Sequence, residues 1–142
     1  MNAAYPEPAI AESLKRWHQM IAARRLDRLP ELLDPAVVFR SPMAHTPYQG
    51  APTVNLILNT VLGVFEDFTY HRELFSDDGT SVVLEFSARV GERQLKGIDL
   101  IRFDSSGAIV EFEVMVRPMS GLQALGEEMG RRLGPLLAAG KR

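Results

Sequence analysis

No cysteine occurs in the 142-residue chain, which rules out a disulfide framework, a thiolate metal site and a thiol nucleophile. Histidine is scarce as well: His18, His45 and His71 are scattered, and no compact His/Asp/Glu cluster offers a metal site. Neither sign of charge dominates, since 16 Lys and Arg stand against 18 Asp and Glu for a net −2, so the electrostatic footprint of a nucleic-acid binder is missing. The longest greasy segment, Leu56–Phe65, is interrupted by Asn59, Thr60 and Gly63 and is too short to cross a bilayer. Residues 1–7 have neither a basic start nor an apolar core and are expected to be a flexible leader rather than a signal peptide. These absences leave a single soluble domain, expected in the cytoplasm, long enough to bury a core of its own.

Helical spacing comes first along the chain. Ile10, Leu14, Trp17, Met20 and Ile21 form one stripe, which predicts a helix over 8–25. Asp27 can cap a short second helix over 27–33, with Pro30 tolerated in its first turn. A short strand is expected over 36–40, and the loop that follows, Ser41 to Gly50, holds two prolines and is the best candidate for a lid. Val54, Ile57, Leu58, Val61, Leu62 and Phe65 then mark a third helix over 52–65.

From Phe68 onward the period changes to two. Strands are expected at 68–75, 81–90, 95–104 and 109–117, joined by Asp77-Asp78-Gly79, Gly91-Glu92 and Asp104–Gly107. In the third of these, Gly97, Asp99, Ile101 and Phe103 share one face, so an acid sits in an apolar row. In the fourth, Val110, Phe112, Val114 and Val116 face inward while Glu111, Glu113, Met115 and Arg117 face outward. Helices followed by antiparallel strands predict an α+β cone, with the helices closing a strongly curved antiparallel sheet. A C-terminal helix is expected over 120–133 inside a tail of 119–142. Ser120 and Gln123 supply its capping box, and Leu122, Leu125, Met129 and Leu133 give it a stripe that needs a surface, either its own domain or a partner.

This order of elements, with Gly97-Ile-Asp-Leu-Ile-Arg-Phe-Asp104 and Leu26-Asp-Arg-Leu…Leu33-Asp-Pro…Val38-Phe-Arg-Ser-Pro42, resembles the nuclear transport factor 2-like superfamily, in particular its SnoaL-like and ketosteroid isomerase-like members. The resemblance spans 8–118 and implies a cystatin-like fold, a homodimer through the outer sheet face and no cofactor. Asp99 matches the isomerase acid whose pKa is raised by apolar surroundings so that a neutral carboxyl donates to an oxyanion. The isomerase's proton-shuttling acid would fall at Ser41, before Pro42, and its tyrosine at Trp17. Neither residue can take over that chemistry. The epoxide hydrolase relatives imply an Asp–Arg–Asp arrangement, of which only Asp99 is present, with Gly97 where a basic residue is expected.

The chain is therefore expected to bind a small hydrophobic molecule, with cyclase- or isomerase-like acid/base chemistry as its enzymatic version. Asp99 is the anchor or general acid; the bland alternative is a structural acid paired with Arg40 or Arg72. His45 is the candidate for proton transfer near neutral pH, against the commoner exposed loop histidine. Trp17, Ile57, Leu58, Val61, Phe86, Phe112, Val114 and Val116 are expected as walls, with Tyr48 folding over the ligand. The competing class is a non-catalytic dimeric module with side chains filling the cone and Asp99 salt-bridged.

Overall fold

The structure, a computed structural model, describes residues 6–140, and side chains through residue 136. Most of the leader expected over 1–7, and the end of the tail, lie outside the described residues. Helix α1 (Pro8–Ala23) opens with proline in its first turn and buries Ile10, Leu14 and Trp17. It stops at Ala23, two residues earlier than its apolar pattern predicts, because Arg24 takes a left-handed conformation (φ 54°). There the amides of Arg24 and Arg25 bond back to the carbonyls of Ile21 and Met20 at 3.0 Å each. The Arg24 guanidinium offsets the strain by donating to the carbonyls of Leu62 (2.9 Å) and Phe65 (3.2 Å). One residue thus ends the first helix and caps the next one.

The helix expected over 27–33 is reduced to a single 3-10 turn, Leu29–Glu31. Leu33 belongs instead to strand β1 (Leu33–Arg40), which starts three residues earlier than expected. Long-range pairing overrides local preference here: the Ile109 amide donates to the Leu32 carbonyl at 2.7 Å, and Leu33 faces Ile109. Asp34-Pro35 falls in a stretch where the register shifts, so the missing proline donor leaves no gap in the ladder. A two-residue strand β2 (Tyr48–Gln49) then leads into helix α2 (Ala51–Val64).

Strands β3 (Glu66–Phe75), β4 (Ser81–Val90), β5 (Arg93–Phe103) and β6 (Ile109–Arg117) form the expected antiparallel meander. The whole sheet runs β2-β1-β6-β5-β4-β3 and is mixed, because β1 pairs parallel to β6. The expected curved antiparallel sheet holds except at that single parallel seam, where α2 and four strands intervene before the chain returns. A second correction lies at the start of β6. The β5–β6 register shifts between Arg102 and Phe103, so Ile109, not Val110, is buried beside Phe103. Beyond that shift Phe112 and Val114 face inward as the alternation requires.

Helix α3 (Met119–Gly140) begins before Ser120, so the capping box does not form, and it continues through Pro135. Its stripe packs on its own subunit: Leu125 joins Phe65, Phe86 and Leu95, and Leu133 joins the core of α1, α2 and β1. No helix among the described residues is long and apolar enough to cross a membrane. Two glycines fix how closely the layers meet. At Gly107 (φ 89°) a Cβ would lie 2.5 Å from the Ala9 carbonyl oxygen, so the β5–β6 turn docks on α1, and Ser13 Oγ donates to the Gly107 carbonyl at 2.6 Å. At Gly97 a Cβ would lie 2.3 Å from the Met115 carbonyl oxygen and 2.7 Å from the Phe86 ring. Gly97→Ala is therefore expected to destabilise the fold by about 1–3 kcal/mol in urea denaturation; a variant as stable as its parent would show that Phe86 does not rest on bare backbone there.

Candidate functional site

The inward row of β5 puts Asp99 between Leu84 of β4 and Val114 of β6, with 6% of its surface exposed. Neither Arg40 nor Arg72 is its partner. Arg40 bonds Glu111, which Arg102 also holds, and Arg72 bonds Glu85, which Lys96 also reaches. Both clusters lie on rows facing away from the cone. Because two cations grip it, Glu85 is held well below the usual carboxylate range. The partner of Asp99 is Tyr70 on β3, whose hydroxyl donates to Oδ2 at 2.5 Å. Trp17 Nε1 in turn donates to the Tyr70 oxygen at 3.0 Å.

The direction of this chain is fixed by chemistry. An indole N–H can only donate, so the Tyr70 oxygen accepts from Trp17 and its one proton is left for the carboxyl. Burial pushes Asp99 up to about 7, against the opposing pull of the Tyr70 hydrogen bond. Tyr70 is raised well above its ordinary value by burial and then by the adjacent Asp99. The carboxyl therefore changes charge near neutral pH while the phenol stays protonated. Oδ1 makes no hydrogen bond among the described residues, yet it is not sealed in.

Asp99 opens onto a cavity of about 230 Å³. Seven of the expected wall residues line it: Trp17, Tyr48, Ile57, Leu58, Val61, Phe112 and Val114. Phe86 and Val116 do not. Phe86 is on the inward row but wholly buried, stacked at 5.0 Å on Phe68 and 5.5 Å from Phe65. Val116 packs into the cluster that Phe86, Leu95 and Leu125 form nearer the start of α3. His45 is corrected as well: it is exposed on the β1–β2 loop and outside the cavity wall. The other histidines are also turned away, His18 toward Glu73 and His71 toward Ser87, each at 2.8 Å.

Tyr70 is the residue that the alternation fails to reveal. The β3 register shifts on both sides of it, before Thr69 and before Glu73, and these irregularities break the period-two pattern. Its signal was chemical: a buried carboxyl needs a donor, and this strand carries a phenol. The β1–β2 loop contributes Ser41, Pro42 and Met43, and α3 contributes Leu125, Met129, Leu133 and the glycines at 126, 130 and 134. Among the described residues no group of three His, Asp or Glu could hold a metal ion.

A family model, the SnoaL-like domain, matches residues 14–112. The chain belongs to the SnoaL-like family. A crystal structure described as a steroid delta-isomerase from Pseudomonas aeruginosa is 71% identical, covering 94% of this chain and 97% of its own, with a TM-score of 0.90. An uncharacterised protein with a cystatin-like fold from Silicibacter pomeroyi is 30% identical over 88% and 87% of the two chains, TM-score 0.81. The SnoaL-like domain also shares its fold with the epoxide hydrolase/cyclase-like enzyme SalBIII of pyran ring formation in the polyether salinomycin, at 14% identity over 78% and 92% and a TM-score of 0.64. No curated protein matches the chain.

Asp99 binds its proton more tightly folded, near 7, than at the ordinary carboxyl value of 3.8. Its contribution to stability is thus fully present below about pH 4, declines as pH rises and is lost above about pH 7, with a total of roughly 4 kcal/mol. Asp99→Asn should flatten that decline in denaturation curves taken at several pH values, while any acid loss below about pH 4 from Glu85 persists. An unchanged slope in the variant would assign the decline to another group. Tyr70→Phe is expected to cost about 1–3 kcal/mol by stranding the Trp17 N–H and to move the Asp99 titration, followed by carboxyl NMR, further upward.

Proposed function

We propose that this SnoaL-like domain binds a small apolar molecule bearing one oxygen acceptor, and that the neutral Asp99 carboxyl donates to that oxygen through Oδ1. The observation that carries the reading is the conjunction of an apolar cavity with one carboxyl open to it. A filled cone, the competing reading, calls for Asp99 paired to a cation and no void beside it; Asp99 is paired to Tyr70 and a void is there.

The chemistry that fits is cofactor-free proton transfer of the isomerase or cyclase kind. Asp99 is the one charged side chain among the described residues of the wall, and its Tyr70 neighbour stays protonated, so Asp99 must serve in both directions. Oδ1 gives its proton to a carbonyl oxygen, and the carboxylate left behind accepts one from the neighbouring carbon, which returns the group to its starting state. The Tyr70 hydroxyl stabilises the carboxylate between the two transfers. Ser41 stands in the wall where the isomerase's second acid would be expected, so the two-acid route has no base here. The name of the 71% identical relative supports an isomerase-type outcome within this reading.

Ligand affinity should follow the carboxyl. For α-tetralone, a ketone that accepts but cannot donate, calorimetry should find the tightest binding below about pH 7 and a loss of roughly tenfold per pH unit above it. Asp99→Asn should bind the ketone more weakly and without that slope. Affinity that is flat from acid to alkaline pH in the parent would sink the donor role.

The reading includes a homodimer through the outer sheet face. Half-buried Ile98 and Leu100 and 45%-exposed Met115 lie on its outward rows, flanked by the Arg40–Glu111–Arg102 cluster, a mix of apolar centre and charged rim suited to a two-fold contact. Light scattering should then report a dimer for the parent and a monomer for Met115→Lys; a monomeric parent would remove this part of the proposal.

A further inference from the structure

The glycines of α3 do different work. At Gly121 a Cβ would lie 2.8 Å from both the Gln94 carbonyl oxygen and Leu95 Cβ, so close packing against β5 requires a bare backbone. At Gly126 it would lie 2.3 Å from Met43 Cε, so the lid-loop methionine seats itself on the helix there. At Gly130 and Gly134 it would meet nothing within 4 Å. Packing gives no reason for glycine at these last two positions, and glycine inside a helix weakens it relative to alanine.

Four-residue spacing sets 126, 130 and 134 on one helix face. That face borders the same cavity as the Asp99 carboxyl, whose Oδ1 has no partner among the described residues.

We propose that Gly130 and Gly134 determine which guests the site accepts, by leaving a strip of bare helix at the cavity mouth against which a flat, apolar, two-ring molecule lies with its oxygen toward Asp99. This rests on the ligand-binding reading above and adds the shape of the guest. A cavity of about 150 Å³ holds benzene, so the 230 Å³ here accepts one ring and part of a second. The remainder of a two-ring guest must run out along the strip. A Cβ at 130 would project into open space without touching the protein, and a longer side chain would extend from there across that path.

The test uses the full chain and two phenols, β-naphthol and phenol, titrated by Trp17 fluorescence below the Asp99 pKa of about 7. The parent is expected to bind β-naphthol more tightly than phenol. Gly130→Leu should weaken β-naphthol by roughly tenfold or more and phenol by less than about threefold, with an unchanged or higher Tm. Gly130→Ala adds one methyl group to open space and should weaken β-naphthol alone, by roughly threefold; it carries the comparison if the leucine variant does not fold. Binding of β-naphthol that survives both substitutions, or that falls equally for both phenols, overturns the specificity role. A parent that binds neither phenol overturns the ligand-binding reading itself, and the inference with it.

Discussion

A carboxyl group held away from water governs the rest of this structure. An ionised Asp99 with no partner would be expensive enough to destabilise the domain, so its surroundings must either protonate it or solvate it. The fold does some of each. Hydrocarbon on most sides raises its pKa, while one phenol, itself held by an indole, limits the rise. The outcome is an acid whose charge changes near neutral pH, on a wall where the other side chains carry no charge. Three elements must be in register for this: α1 supplies Trp17, β3 supplies Tyr70 and β5 supplies Asp99.

The same arrangement explains why the cone does not close on itself. Filling the space beside Oδ1 with another aliphatic side chain would bury its lone pairs without a partner. Leaving the space open gives those lone pairs a guest or solvent to meet. A void is normally a weakness in a core; beside this carboxyl it is the less costly arrangement. The β1–β2 loop and α3 line its other side, with Met43 seated against Gly126.

How much of this can be read from residues alone depends on whether a signal is local. The alternation of β5 is regular, so Asp99 could be placed on the inward row, and the helical stripes located α1, α2 and α3. Tyr70 could not be found that way, because the bulges of β3 erase the period on either side of it. Phe86 and Val116 share the correct face but sit at the wrong depth, since alternation gives the side of a sheet and not the distance along the cone. His45 shows the limit of arguing from residue type: imidazole suits proton transfer, but nothing local says which way a loop side chain turns. The second helix failed because Leu33 has a parallel partner 76 positions later, at Ile109. The cavity-lining glycines of α3 were hidden by the more conspicuous leucine stripe beside them.

The docking of the β5–β6 turn on α1 also dictates when the chain can finish folding. Ser13 and Gly107 are 94 residues apart, and the apolar face of α1 rests on Phe112 through Trp17, ring centres 5.3 Å apart. At ribosomal speeds, roughly five to twenty seconds separate the synthesis of the two sides of that contact. Residues of α2 and β3 are made in time to meet part of the α1 stripe, but the patch that Phe112 and the Gly107 turn cover stays bare until the last strand is complete.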